Sequence, residues 1–195
     1  MKWKIWYNLP NGKSFNFTSR SGTSSIGLMA LKQFHPDRVP DNPIVDGQGH
    51  RLNDYAVGPV LPPGCAIMVR DPVDRFRSLL GRLGVTADRA FCWLHYFHDR
   101  GPQPQATDRH DLEYVCGTTW HHFTPVSVFA QADSQLFRFP DIAGMANYLG
   151  VTGSEERINA CPVEKPTLTA EQEARVRELY ADDIALWHSL QPQQQ

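Results

Sequence analysis

Hydrophobic and polar positions along the chain alternate with two different periods, which predict short strands interspersed with helices. Residues 3–7 alternate and are rich in aromatic side chains, so they predict a strand, and Asn11-Gly12 predicts a tight turn before a second strand at 14–18. The continuous apolar run 65–69 predicts a buried, parallel central strand. Further short strands are predicted at 127–130 and 135–139, and helices at 25–34, 72–83, 87–98, 140–149 and 169–190.

These strand–loop–helix units predict an α/β sheet of the nucleotide-binding class. The helix ends carry suitable residues: Asp71 is a good N-cap, Pro72 a good first helical residue and Gly150 a good C-terminal cap. The chain is long enough for one sizeable core. We therefore expect a single domain over residues 1–190, followed by a disordered polar tail at 191–195.

A hydroxyl-rich loop follows the second predicted strand and leads into the first helix. It holds one cation, one glycine and five hydroxyl side chains: Ser19, Arg20, Ser21, Gly22, Thr23, Ser24 and Ser25. In such a loop the glycine lets the backbone turn, the first helical N–H groups lack intrahelical partners, and the helix dipole favours negative charge. The expected ligand is a phosphate or a phosphosulfate, and the alternative is a hydroxyl-rich turn without a ligand.

A second candidate anion site begins where the central strand ends. Arg70 leaves that end, and Ser78 lies about two turns into the following helix. The carboxyl ends of parallel strands form a shared ligand crevice. A guanidinium there can bind a phosphate through two hydrogen bonds, with a hydroxyl adding another. We expect Arg70 and Ser78 to lie beside the loop of Arg20, and the alternative for Arg70 is an ion pair with Asp74.

Composition and charge argue against several classes of protein. Of the 195 residues, 41% are hydrophobic and 21% are charged, which is ordinary for a globular protein. The formal net charge of -2 argues against a nucleic-acid or membrane-surface binder, because such proteins carry a basic excess. The four cysteines form no Cys-x-x-Cys pair, so neither a disulfide framework nor a metal site is predicted. The N-terminus has no apolar signal core, which predicts a cytoplasmic protein without a membrane anchor.

Three sets of segments resemble one enzyme family, and their order along the chain is the order expected in that family. Residues 69–78, Val-Arg-Asp-Pro-Val-Asp-Arg-Phe-Arg-Ser, resemble the motif with which sulfotransferases bind the 3′-phosphate of 3′-phosphoadenosine 5′-phosphosulfate (PAPS), in the form closest to the carbohydrate sulfotransferases. Upstream, residues 19–25 resemble the loop that binds the 5′-phosphosulfate in that family. The third set, 122–129, 136–142 and 148–150, resembles a His-aromatic-x-Pro segment, a short strand and a helix that ends in Leu-Gly.

The resemblance implies a minimal sulfotransferase fold, P-loop-like, with a parallel sheet and helices on both faces. It implies an enzyme that moves the sulfuryl group of PAPS, without a metal, to a hydroxyl of a small-molecule or glycan acceptor. Arg70 and Ser78 would bind the 3′-phosphate. The 5′-phosphosulfate would lie against Arg20, Ser21, Gly22, Thr23, Ser24 and Ser25.

Arg20 departs from the family pattern, which usually has a lysine at this position. That lysine is thought to help the bridging oxygen leave, so the resemblance implies a catalytic role for Arg20 as well. An arginine keeps the positive charge and can bind a sulfonate, but it presents a planar fork of donors and does not give up its proton.

An acceptor hydroxyl needs a base, and a histidine serves well near neutral pH. His50 is the first candidate, because some glycan sulfotransferases place a base histidine between the first helix and the central strand. His122, which begins the third matching set, is the second candidate, and His35, after the first helix, is the third. The irregular segments 36–64 and 99–109 are expected to shape the acceptor site.

Two other functions fit parts of the sequence. A kinase-like enzyme of P-loop ancestry would need a lysine after the glycine of the loop, and Ser21-Gly22-Thr23 lacks it. A non-catalytic nucleotide-binding module that has kept the fold is supported by the arginine at position 20 and by the compact size of the chain.

Overall fold

Within the part of the chain that the structure describes, the fold is α/β, with a four-stranded mixed sheet and helices. A computed structural model describes residues 6–16, 20–39, 62–100, 123–153 and 164–190. The strands are β1 (Trp6–Asn8), β2 (Ser14–Asn16), β3 (Ala66–Val69) and β4 (Gln135–Arg138). The helices are α1 (Thr23–Phe34), α2 (Pro72–Leu83), α3 (Ala87–Arg100), α4 (Ile142–Leu149), α5 (Ala170–Leu179) and α6 (Ala181–Ser189). Within these ranges no helix combines the length and apolar character needed to cross a membrane.

The sheet is mixed because an N-terminal hairpin adds one antiparallel strand to three parallel ones. Its strands are ordered β1-β2-β3-β4, and β1 pairs antiparallel with β2. The hairpin turn includes Gly12, whose φ of 81° is a conformation that glycine adopts without steric penalty. β2 and β4 both pair in parallel with β3. The predicted hairpin is confirmed, and the expected parallel sheet holds only for β2, β3 and β4.

Helices cover both faces of the sheet, and the central strand β3 is buried throughout. Ala66 and Met68 face one core, which α1 and α4 complete with Ile26, Met29, Leu31, Met145 and Leu149. Ile67 and Val69 face the other side, where they pack with Val126 and with side chains of α6, including Leu186 and Trp187. The continuous apolar run that predicted a doubly covered strand is therefore explained by packing on both sides.

A third core joins α2, α3 and α5 beside the sheet. Phe76 of α2 lies at its centre and is 1% exposed, with the rings of Phe91, Phe123 and Tyr180 at centroid distances of 5.3, 5.9 and 6.5 Å. This packing fixes the position of α2, which follows Arg70 and carries Ser78.

The helix ends agree closely with the residues that predicted them. The Asp71 side chain accepts a hydrogen bond from the backbone of Asp74 at 2.8 Å, and Pro72 is the first residue of α2. Gly150 ends α4 with a φ of 64°. The starts of two helices differ from the prediction by two residues, because α1 begins earlier, after Gly22, and α4 begins later, after its cap Asp141.

Two predicted elements are wrong. The strand expected at 127–130 is a 3-10 turn over Val126–Val128, and the single helix expected over 169–190 is divided at Tyr180 into α5 and α6. Asp183 of α6 accepts hydrogen bonds from the backbone N–H groups of residues 126 and 127, at 2.8 Å each. These N–H groups are therefore bound to a side chain instead of a neighbouring strand.

Candidate functional site

The candidate site lies where β2 and β3 end at the same edge of the sheet. Residues 20–22 precede α1, and Arg70 links β3 to α2. Because β2 and β3 are parallel, both connections leave from the carboxyl edge, where α/β sheets bind ligands. Ser19 and the rest of the loop before Arg20 lie outside the described residues.

Arg20 and Ser78 are in direct contact across this edge. The Arg20 Nε donates a hydrogen bond to the Ser78 Oγ at 3.0 Å. Arg70 donates from Nη1 to the backbone carbonyl of Arg20. The Arg20 backbone has a φ of 62°, which is uncommon for a residue other than glycine. The two segments that the sequence placed at the sheet edge thus come together, while the ligand they bind stays a prediction.

Gly22 allows the loop to pack closely against the connection from β4 to α4. Its φ is 79°, and a Cβ at this position would lie 2.4 Å from Ile142 Cδ1 and 3.2 Å from Phe139 Cε2. The Phe139 ring also lies under Arg70, with 4.8 Å between the guanidinium carbon and the ring centroid. A cation over an aromatic face at this distance is attracted to it. Phe139 therefore contacts both the loop and the arginine.

The hydroxyl side chains of the loop are mostly turned inward. Ser21, Thr23 and Ser25 are 0%, 2% and 4% exposed, whereas Ser24 is half-buried. The Ser21 Oγ has no hydrogen-bond partner among the described residues. Gly22 is the N-cap residue of α1, and it makes no side-chain hydrogen bond to the helix. The start of α1 therefore combines a buried hydroxyl with the positive end of the helix dipole.

Arg70 also forms an ion pair with Asp74, which was the alternative that the sequence analysis gave for this arginine. Its Nε donates to Asp74 Oδ2 at 2.8 Å, and its Nη2 contacts the same oxygen. The other carboxylate oxygen of Asp74 accepts a hydrogen bond from Lys165 Nζ. Burial acts to raise the pKa of Asp74, but the hydrogen bonds from Lys165 and Arg70 outweigh it and hold that pKa below its ordinary value.

Lys165 and Phe139 are site residues that the sequence analysis missed. The contact between Lys165 and Asp74 joins residues 91 positions apart, so no local spacing could indicate it. Phe139 lies in a predicted strand, and the alternation that predicts this strand does not indicate a contact with Arg70. By contrast, the sequence analysis did name the pair of Arg70 and Asp74, as the alternative to a ligand contact of Arg70.

The base candidates are only partly within the described chain. His50 and His122 lie outside the described residues, as do most of the segments 36–64 and 99–109. His35 follows α1, and its backbone N–H donates to the Leu31 carbonyl at 2.8 Å. Where the structure describes the chain, no three His, Cys, Asp or Glu side chains form a group that could hold a metal ion.

Comparisons with protein-family models, with curated proteins and with solved structures gave no match for this chain. Two guanidinium groups, a serine hydroxyl and the N-terminus of α1 are groups that bind oxyanions. These four groups can bind or orient an anion.

Proposed function

We propose that this chain is a sulfotransferase, which binds PAPS at the carboxyl edge of β2 and β3 and transfers its sulfuryl group to an acceptor hydroxyl. The observation that carries the proposal is the hydrogen bond between Arg20 and Ser78. It joins the loop expected to bind the 5′-phosphosulfate to the pair expected to bind the 3′-phosphate. A nucleotide with an anionic group at both ends needs two such positions side by side, whereas a single phosphate needs one.

Arg70 and Ser78 would bind the 3′-phosphate. A guanidinium carries five N–H donors. The described contacts of Arg70 use one on each of its three nitrogens, so at least two are available to phosphate oxygens. The Ser78 hydroxyl accepts its hydrogen bond from Arg20, and its own proton can therefore be donated to a phosphate oxygen.

The 5′-phosphosulfate would lie against Arg20 and the start of α1. Sulfuryl transfer resembles phosphoryl transfer in that the protein mainly aligns the two reactants and neutralises charge on the leaving oxygen. The Arg20 guanidinium and the helix dipole would supply that neutralisation. The base that accepts the proton of the acceptor hydroxyl is expected to be His50 or His122, in the predicted order.

A P-loop-like fold is part of the same proposal. It is supported by the connection from β2 through the loop of Arg20 and Gly22 into α1, after which the chain returns to β3 as a parallel neighbour of β2. In P-loop folds a strand, an anion-binding loop and a helix follow one another in this way.

A second candidate function is nucleotide binding without transfer. It is favoured by Arg20, whose Nε donates to Ser78 on the side expected to bind the 3′-phosphate. A lysine at the same position would extend as a single point charge toward the transferred group instead. In this second case the site would hold the nucleotide while the transfer step would be slow or absent.

Thermal stability and sulfate transfer together test both candidates. Adenosine 3′,5′-bisphosphate should raise the melting temperature of the protein, while ATP should raise it much less. Arg70→Ala should remove the shift, and Arg177→Ala, in an exposed ion pair with Glu173, should keep it. Transfer from radiolabelled PAPS to any acceptor supports the enzyme, and a shift without transfer supports the binding module. Equal shifts with both nucleotides, or none, contradict the proposal.

A further inference from the structure

One face of α2 carries Asp74, Ser78 and Gly81, which are spaced by four and three residues and therefore lie along one stripe of the helix. The segment 164–166 crosses this stripe. Arg77 donates from Nε to the backbone carbonyl of residue 166 at 3.0 Å. A Cβ on Gly81 would lie 3.4 Å from the backbone oxygen of residue 164. The segment is thus held close to α2 by a hydrogen bond and by the absence of a side chain at Gly81.

This packing places Lys165 at the candidate anion site. Its Nζ donates to Asp74 Oδ1, while Arg70 binds Asp74 Oδ2. Asp74 is the third residue of α2, in the first turn, where the helix dipole favours negative charge. The Asp74 carboxylate therefore lies where two cations and a helix N-terminus all favour an anion.

Two cations, Arg70 and Lys165, bind the Asp74 carboxylate directly, and Arg20 donates a hydrogen bond to Ser78, one turn further along α2. The Asp74 side chain is 37% exposed, so the carboxylate can turn toward water without entering an apolar region. A phosphate monoester carries about −1.5 to −2 charge near neutral pH and three acceptor oxygens, which is more than a carboxylate offers.

We propose that Asp74 is an internal competitor for the anion site, that a bound phosphate group displaces it from Arg70 and Lys165, and that Lys165 then becomes an additional ligand of the phosphate. This inference rests on the anion site of the proposed function. It adds a cation from the C-terminal segment and a carboxylate that lowers the affinity of the ligand-free protein for phosphate.

A double-mutant cycle, measured by calorimetric titration with adenosine 3′,5′-bisphosphate, tests the inference. Asp74→Asn should tighten binding by about fivefold, because the competing charge is lost while the side-chain size is kept. Lys165→Gln should weaken binding by about tenfold, both in the wild type and in the Asp74→Asn background, because a charge-assisted hydrogen bond to the ligand is lost.

Two results would overturn it. If Lys165→Gln has no effect in the Asp74→Asn background, Lys165 only neutralises Asp74. If Asp74→Asn weakens binding, Asp74 positions Arg70 and does not compete with the ligand. Glu173 and Arg177 of α5 are four residues apart, as Arg70 and Asp74 are, and they form an exposed ion pair. The control substitutions Glu173→Gln and Arg177→Gln should leave the affinity unchanged.

A parallel titration with inorganic pyrophosphate separates this inference from the proposed function. If pyrophosphate binds with the expected dependence on Asp74 and Lys165 while the nucleotide does not bind, the inference stands and the proposed function falls. If the nucleotide binds and neither substitution has its expected effect, the inference falls and the function stands. A protein that binds neither compound contradicts both.

Discussion

Arg20 donates a hydrogen bond from its Nε to the Oγ of Ser78, across 3.0 Å and 58 positions of sequence. Each residue belongs to a different connection at the carboxyl edge of the sheet, one before α1 and one within α2. Arg70 adds a second link, since it donates to the Arg20 carbonyl. The three residues form a continuous chain of contacts, so a ligand that binds one of them should respond to a change in either of the others.

The Arg20 side chain is the first place to test this chain of contacts. Arg20→Ala should weaken the binding of adenosine 3′,5′-bisphosphate by roughly tenfold, because a charge-assisted hydrogen bond is lost. Arg20→Lys keeps the charge and should keep the affinity within about threefold, with sulfate transfer equal to the wild type or higher. Calorimetry and a transfer assay on both variants provide the measurement. A complete loss of binding in Arg20→Lys would mean that the loop holds its ligand in some other way.

Gly22 should be essential for packing the loop against the connection from β4 to α4. Its substitution by alanine adds the strain of a positive φ, about 1–2 kcal/mol, and an overpacking cost of about 1–3 kcal/mol from contact with Ile142 and Phe139. Gly12 is the matched control, because its φ of 81° is almost the same and nothing lies within 4 Å of a Cβ there. Urea unfolding should show a larger loss of stability for Gly22→Ala than for Gly12→Ala. Equal losses would mean that backbone strain accounts for both.

The buried carboxylate of Asp183 should contribute more to stability than any exposed pair. It is 2% exposed, lies 3.6 Å from the Arg75 guanidinium, and accepts the N–H groups of residues 126 and 127. Asp183→Ala should lower the free energy of unfolding by about 3–5 kcal/mol, since the buried Arg75 would lose this counter-charge and the two N–H groups their acceptor. Glu173→Ala, in an exposed pair with Arg177, should change it by less than about 1 kcal/mol. Comparable values in urea unfolding would contradict the structural role of Asp183.

Local sequence signals predicted much of this fold. The hairpin at Asn11-Gly12, the buried strand β3, and the capped start of α2 at Asp71 depend on neighbouring residues, and all are present. The closeness of Arg20 to Arg70 was also predictable, because it follows from two parallel strands that end at one edge. Such features depend on periodicity, capping and sheet geometry, which a single chain displays directly.

The errors arise where distant residues decide the local conformation. Residues 126–128 form a turn because Asp183, more than fifty positions away, binds their N–H groups. Lys165 reaches Asp74 only because the segment around it packs on Gly81. The helix predicted over 169–190 is divided at Tyr180, and Leu179, the last residue before that division, is 37% exposed.

The thiol of Cys65 should be protected from alkylation in the folded protein. It is fully buried, and burial raises its pKa to about 11 from an ordinary value near 9. Because the thiolate is the reactive form, Cys65 should stay unmodified by iodoacetamide at pH 8.5, while the exposed Cys92 reacts. Peptide mapping by mass spectrometry measures both sites in one sample.

The same raised pKa predicts a change of stability with pH. In the unfolded chain the Cys65 thiol ionises at a lower pH than in the folded protein. Its contribution to stability is therefore complete below about pH 9 and declines as the pH rises toward 11. Cys65→Ala should reduce this alkaline decline in the free energy of unfolding. An unchanged decline, or rapid alkylation of Cys65 at pH 8.5, would contradict the buried placement of this residue.

The central claim is that the loop of Arg20 and the pair of Arg70 and Ser78 form one site for a nucleotide that carries phosphate at both its 3′ and 5′ positions. Calorimetric titration with adenosine 3′,5′-bisphosphate and with adenosine 5′-monophosphate tests it directly, because the two ligands differ only in the 3′-phosphate. The bisphosphate should bind at least about a hundredfold more tightly, and Arg70→Ala should remove most of this difference. Equal affinities for the two nucleotides, or a preference that survives Arg70→Ala, would contradict it.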